Sequence, residues 1–495
     1  MRATGDEQPL YSSTFAPLLR PKAMLIWSWH QVLVGAAVLS IFMVRTAFGA
    51  ADVVSPVNLV LAVLLAVDLV NVHDLSLWQI GGLKLGLLLR QATGASRATY
   101  SPLTAGSTVG LVDVPGDEGE SIQTYRVVNT GAFDGACLIW DSVRNEATAP
   151  ILLRATGSQL ADTKTRNAHA KAFSRALHSM AAKDDISRVT IQARALLRPT
   201  AGTAGLDGPA GEDVRELEDG ALDYTMGHDY LLGITINPSS GAGSTISGFI
   251  HNKLRGQDKV SVTEACEQLA DRVTGLCAML PECGVDGAAI TWLNADQLRG
   301  LEKTLTDPEA HRLLDPHGNL PADIPVQTSW REYSDHVSVG PSCARTFWVS
   351  RWAETDPVGS DWLAAVNRSP DMQLVFTQVF RHRTKQEAKD QLDRQGNESG
   401  LVSRAIARFG IPQNEDNERA RQTVQAMKKE NSKNNGDVQF QGFVTVLAPD
   451  TEQLDNLDKA VNALAESHSL YLDRMRDQQM ARWVGALPFG LEGRE

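Results

Sequence analysis

Two apolar runs close to the N-terminus, and two later series of alternating strand and helix patterns, set the fold class that the sequence predicts. It is α+β: an N-terminal two-helix transmembrane hairpin followed by two ferredoxin-like α+β cytoplasmic modules, with a long helical insertion in the second. Composition agrees with a folded, multi-domain chain. Its 495 residues exceed the usual size of one domain, and 43% hydrophobic with 21% charged residues excludes wholesale disorder. A formal net charge of -12 argues against a broad nucleic-acid-binding surface, which would need excess Lys and Arg. Five cysteines (Cys137, Cys266, Cys277, Cys283, Cys343) are too few and too scattered for a disulfide framework.

The expected order begins with a cytoplasmic tail, residues 1–23. The hairpin follows at residues 24–70. Its first run, residues 24–44 (MLIWSWHQVLVGAAVLSIFMV), has no Asp, Glu, Lys or Arg. Its second, residues 53–70, is interrupted only by Asn58 and Asp68 near its ends. Asp68 is placed to reach headgroup water, so it reads as an interfacial carboxylate and not an ion path. Arg20 and Lys22 precede the runs, Lys84, Arg90 and Arg97 follow them, and the turn holds Arg45 and Asp52. That balance predicts a two-span cell-membrane protein with both termini cytoplasmic. Residues 71–100 form a juxtamembrane segment whose Leu-rich stretch, residues 78–91, reads as an amphipathic helix.

The first module spans residues 101–307. Strands are expected at 108–114, 136–141, 149–155, 187–197, 230–237 and 287–293, and helices at 162–182, 261–280 and 294–305, the last opening on Asn294 as a cap. A glycine-rich linker, residues 200–212, interrupts it. The second module spans residues 326–490. Strands are expected at 335–339, 344–352, 371–381, 439–447 and 470–473, with helices at 453–467 and 477–485. Its insertion, residues 384–433, lies within a stretch from Arg381 to Lys433 that reads as a solvated, mixed-charge helical region.

No catalytic constellation emerges. There is no Walker A motif, and the nearest glycine-rich loop, residues 239–248 (SSGAGSTISG), lacks the lysine that would meet a phosphate. No G-x-S-x-G or H-E-x-x-H is present. His311 and His317 are the one local histidine pair and read as a surface loop. Cys277 and Cys283 bracket a helix end and read as small-residue packing. The chain is therefore expected to be no enzyme and to hold no cofactor and no metal.

Several short motifs carry a resemblance. They are the Leu-rich basic helix at residues 83–90, A-T-Y-S-P-L at 98–103, R-T-F-W-V at 345–349, F-R-H-R at 380–383, G-F-V-T-V-L-A-P-D at 442–450 and W-V-G-A-L-P-F-G at 483–490. In this order the chain resembles actinobacterial membrane proteins encoded with conjugative elements and type IV-like secretion systems. It is also similar to the amino-terminal, non-ATPase half of TraC/TrbE/CagE-type transfer ATPases, in which a Leu-Pro-(x)-Gly element closes that half. Leu487, Pro488, Phe489 and Gly490 match the element. A weaker likeness in layout is to EccE of type VII secretion.

The resemblance implies a membrane-anchored, non-enzymatic scaffold that docks a transfer ATPase beside other membrane channel subunits, in an oligomeric assembly on the lipid bilayer. Direct nucleic-acid binding is not expected. The interface candidates are Arg345, Trp348 and Arg351 on one strand, with Trp483, Leu487, Pro488, Phe489 and Gly490 at the end. The competing readings are a type VII subunit, a DNA guide using residues 381–433, and an enzyme using residues 239–248.

Overall fold

The computed structural model describes residues 12–13, 29–47, 56–72, 75–99, 114–116, 119–153, 162–181, 183, 185–199, 224–238, 262–285, 290–327, 329–353, 358–359, 363, 366, 372–383 and 437–492. The chain divides into two compact units. One comprises residues 1–14, 94–382 and 438–495, and the other residues 15–93 and 383–437.

The smaller unit carries helices α1 (Trp29–Ala47), α2 (Pro56–Leu69) and α3 (Leu77–Thr93). The expected transmembrane hairpin is corrected here: among the described residues no helix is long and apolar enough to cross a membrane. The physical reason lies in the ends of the helices. α1 opens on Trp29, His30 and Gln31 and closes on Arg45, Thr46 and Ala47, so its charge-free apolar stretch, residues 32–44, rises only about 20 Å. α2 has 14 residues, or about 21 Å, against a hydrocarbon core of about 30 Å. The two-span, cell-membrane placement falls with the hairpin. Residues 24–28 of the first expected span lie outside the described residues.

The larger unit is built on one 13-stranded sheet. Strands are numbered along the whole chain. Three short ones stand outside this sheet at the start: β1 (Ser12–Ser13), β2 (Asn71–Val72) and β3 (Leu75–Ser76), the last two forming a small hairpin in the other unit. The sheet then takes β4 (Arg97–Thr99), β5 (Ile122–Arg126), β6 (Cys137–Asp141), β7 (Glu146–Leu153), β8 (Ile186–Pro199), β9 (Tyr224–Ile236) and β10 (Ile290–Trp292). It continues with β11 (Ser329–Glu332), β12 (Val337–Val339), β13 (Ser342–Arg351), β15 (Gln373–Arg383), β16 (Asp437–Ala448) and β17 (Tyr471–Arg474). β14 (Val358–Gly359) pairs only with β1. Helices α4 (Thr163–Ala181), α5 (Val262–Met279), α6 (Ala295–Thr306), α7 (Thr451–Ser467) and α8 (Gln479–Trp483) join them.

The strand order is β4-β11-β12-β13-β16-β15-β8-β9-β7-β6-β5, with β10 on β7 and β17 on β13. Two copies of one topology meet at its centre. In the first, β7-α4-β8-β9-α5-β10 forms a sheet ordered β10-β7-β9-β8. In the second, β13, β15, β16, α7 and β17 form a sheet ordered β17-β13-β16-β15. Both are antiparallel ferredoxin-like orders, and each is preceded by a two-strand meander, β5–β6 or β11–β12. The copies join through β8 and β15, paired from Leu374↔Ala195 to Arg381↔Arg188. The same threonine pair marks both: Thr148 and Thr235 hydroxyls lie 2.9 Å apart on β7 and β9, and Thr346 and Thr445 3.0 Å apart on β13 and β16. Residues 200–223 and 384–436 fall at equivalent connections, β8 to β9 and β15 to β16.

Burial follows strand periodicity. On β9, Leu232, Ile234 and Ile236 join the cluster formed with Ala265, Leu269, Val273 and Leu276 of α5. Leu231, on the opposite face, joins a cluster with Trp483, Leu487 and Phe489. α5 exists because its apolar residues recur at three- and four-residue spacing, and burying each large one contributes about 2 kcal/mol. α6 starts where Asn294 accepts the Gln297 backbone N–H at 2.8 Å, while the Gln297 side chain accepts from the Asn294 N–H. The expected strand at 108–114 and the insertion at 384–433 lie almost wholly outside the described residues.

Candidate functional site

β13 carries three of the residues that sequence reasoning singled out, and it treats them differently. Arg345 is 2% exposed. Its guanidinium meets Asp335 at 2.9 Å, Asp455 at 2.9 Å and Asp458 at 3.1 Å, and its Nε donates to the Asp335 carbonyl at 3.0 Å. Arg474 of β17 also pairs with Asp335 and Asp458, and His336 Nδ1 lies 2.9 Å from Asp335 Oδ1. Burial works to raise the Asp335 carboxyl, yet His336 and the two guanidiniums hold it below its ordinary value. Arg345 is thus a tie between β13, α7 and the loop before β12.

Trp348 is half-buried and Arg351 is exposed. The β13–β17 register shifts between Val349 and Arg351, a bulge of the kind that re-aims a side chain. Arg351 stacks over the Tyr471 ring, its Cζ 4.2 Å from the centroid. Tyr471 remains 44% exposed, and its carbonyl accepts from the Ser350 hydroxyl at 3.2 Å. This cation–aromatic pair is exposed and sits on the paired backbones of β13 and β17. Tyr471 is its sequence-silent half: 120 residues separate it from Arg351, and only the β13–β17 pairing brings them together.

The C-terminal candidates lie elsewhere. Trp483, Leu487 and Phe489 are 0% exposed, and Pro488 and Gly490 are buried with them. Side chains of β8 and β15 hold this segment by its carbonyls. Gln192 donates to Gly485 O at 2.7 Å and Leu487 O at 2.8 Å, while Thr377 and Thr190 donate to Gly485 O and Gly490 O at 3.0 Å each. Gly490 (φ +65°) lies against Gly233 so closely that a Cβ on it would fall 2.6 Å from the Gly233 Cα. Glu492, 2% exposed, pairs with Arg381 at 2.5 Å. These five residues therefore offer a partner no surface in this conformation. The alternation Arg188, Thr190, Gln192, Arg194 along β8 is the sequence signal that could have shown a polar floor for the tail.

The other sequence candidates can be placed as well. His317 is exposed and His311 half-buried, and among the described residues no group of three His, Cys, Asp or Glu side chains could hold a metal ion. Burial pushes the Cys277 and Cys283 thiols up. Residues 239–248, and all but the first three residues of the 381–433 stretch, lie outside the described residues. No family model matches the chain, and no curated protein does.

Proposed function

We propose that the chain is a non-enzymatic scaffold of a conjugative or type IV-like secretion machine, docking a transfer ATPase. The observation that carries this reading is the exposed Arg351–Tyr471 pair, on the strand that also bears the half-buried Trp348. Tyr, Trp and Arg are the residues in which binding energy concentrates at protein interfaces. The R-T-F-W-V motif that underlies the resemblance, residues 345–349, lies on the same strand, whose last residue is Arg351. Arg345 anchors that strand from inside, so the docking residues are presented on a fixed frame.

The test is affinity capture of the tagged full-length chain from its own cells, with mass spectrometry of the bound proteins. A transfer ATPase should be captured, and the double variant Arg351→Ala/Tyr471→Ala should lose at least ten-fold of it, the ratio about 1.4 kcal/mol corresponds to. Capture that is undiminished in the folded variant would remove this surface from the reading. Absence of any secretion or conjugation subunit would remove the reading itself.

A further inference from the structure

Four arginines are buried to 4% exposure or less among the described residues: Arg188, Arg194, Arg299 and Arg345. Three meet carboxylates. Arg188 lies 2.8 Å from Glu146, Arg299 lies 3.1 Å from Asp296, and Arg345 has its three aspartates. Arg194, 1% exposed, meets none among the described residues. Its Nη2 donates to the Leu301 carbonyl at 3.1 Å, while Nε and Nη1 have no acceptor. A buried charge without a counter-ion is strongly disfavoured, so such a group favours an anionic partner.

Its surroundings deepen the need. Arg198 lies four residues along β8, and the Asp229 carboxylate is engaged by Arg198. His311 comes from the 3-10 turn Pro308–Leu313, which packs on β8. Burial, then the charges of Arg198 and Arg194, hold His311 down to about 4, so it is neutral at pH 7. Burial and Arg198 likewise pull Arg194 down to about 9, which leaves it charged. Among the described residues Asp229 pairs with Arg198, and none of its oxygens reaches Arg194.

We propose that Arg194, with Arg198 and His311, forms a seat for one small inorganic oxyanion of the phosphate class, enclosed between β8 and the turn Pro308–Leu313. Guanidinium N–H groups match the oxygens of such an ion in geometry and charge, and a neutral imidazole can add one more donor. A seat floored by a side chain 1% exposed selects the free ion over a phosphoester, whose organic part would have to pass through the packed turn. The inference is independent of the docking surface on β13.

The experiment is equilibrium dialysis of the full-length chain against radiolabelled inorganic phosphate, with thermal melts in phosphate and in sodium chloride of matched ionic strength. Wild type should bind one phosphate per chain and, at a hundred-fold excess over Kd, gain about 4 °C in Tm. Arg194→Met removes the lone charge and keeps the volume, so it should fold, bind none and show no phosphate-dependent gain. Adenosine monophosphate should give wild type no protection. Wild type that binds no phosphate, a folded Arg194→Met that binds it equally, or equal protection by the nucleotide would each overturn the proposal.

Discussion

Arg345 stands as a cation in the middle of a buried strand, and its carboxylates decide what its loss would cost. Removing it leaves Asp335, Asp455 and Asp458 with Arg474 as their remaining guanidinium, a net excess of negative charge, so Arg345→Ala should lose about 3 kcal/mol in urea unfolding at pH 7. Asp335 adds a pH dependence whose sign follows from its lowered folded-state value. Its contribution is present at neutral pH and is lost as pH falls below about 4. Stability measured from pH 6 down to pH 2 should therefore fall less steeply in Asp335→Asn than in wild type, and the difference is modest because a third of that side chain faces solvent. Cys137 gives a chemical check on burial. Its thiol is pushed up to about 12 by burial and by the nearby Asp296 charge, so it should resist iodoacetamide at pH 8 in the folded chain and react after denaturation.

The C-terminal segment behaves as a structural strap held by carbonyl contacts. Gln192→Leu would strand the buried Leu487 carbonyl and leave Gly485 O with Thr377 as its donor, and should cost about 2 kcal/mol in chemical unfolding. Gly490→Ala sets a Cβ against the Gly233 backbone in a left-handed conformation, with Thr148 Cγ2 also at 3.3 Å. Neither backbone can move away cheaply, so the substitution should lower Tm more than Gln192→Leu does. The sequence marks the Leu-Pro-Phe-Gly element as an interface candidate through its match to the Leu-Pro-(x)-Gly element of the resembling family. Its apolar content was equally consistent with a core, and periodicity has no power to decide over so short an irregular run. The strand neighbours Arg345 and Arg351 show the same ambiguity. Both were legible as arginines on one strand, but the bulge that turns one out and the three aspartates that hold the other in were not.

At the scale of the molecule, the two ferredoxin-like halves meet edge to edge through β8 and β15, and both insertions leave from hairpin connections of that sheet. Connections of this kind tolerate changes in length, since the entropy of closing a loop grows only logarithmically. Replacing residues 384–436 with a short Gly-Ser linker should therefore leave circular dichroism strand content and the urea midpoint of the sheet unit within error of wild type. A collapse of both would mean that the insertion holds the β15–β16 pair together.

Strand and helix identity in both halves, from α5 and its apolar stripe to the Asn294 cap, followed from the sequence by itself, because these are local consequences of spacing and capping chemistry. The sequence also carried the pattern repeat between the halves, though only the aligned pairs Thr148–Thr235 and Thr346–Thr445 reveal it at the level of residues. Tertiary structure alone decided three matters. It ended α1 and α2 short of a membrane span, since helix length depends on where the chain turns and not on the mean hydropathy of the run. It buried the tail that sequence had offered to a partner, because the polar floor of Thr190, Gln192 and Thr377 is assembled from strands far apart in the chain. And it left Arg194 buried with no carboxylate partner among the described residues, a condition set by burial, which is a property of the packed sheet and not of any stretch of residues.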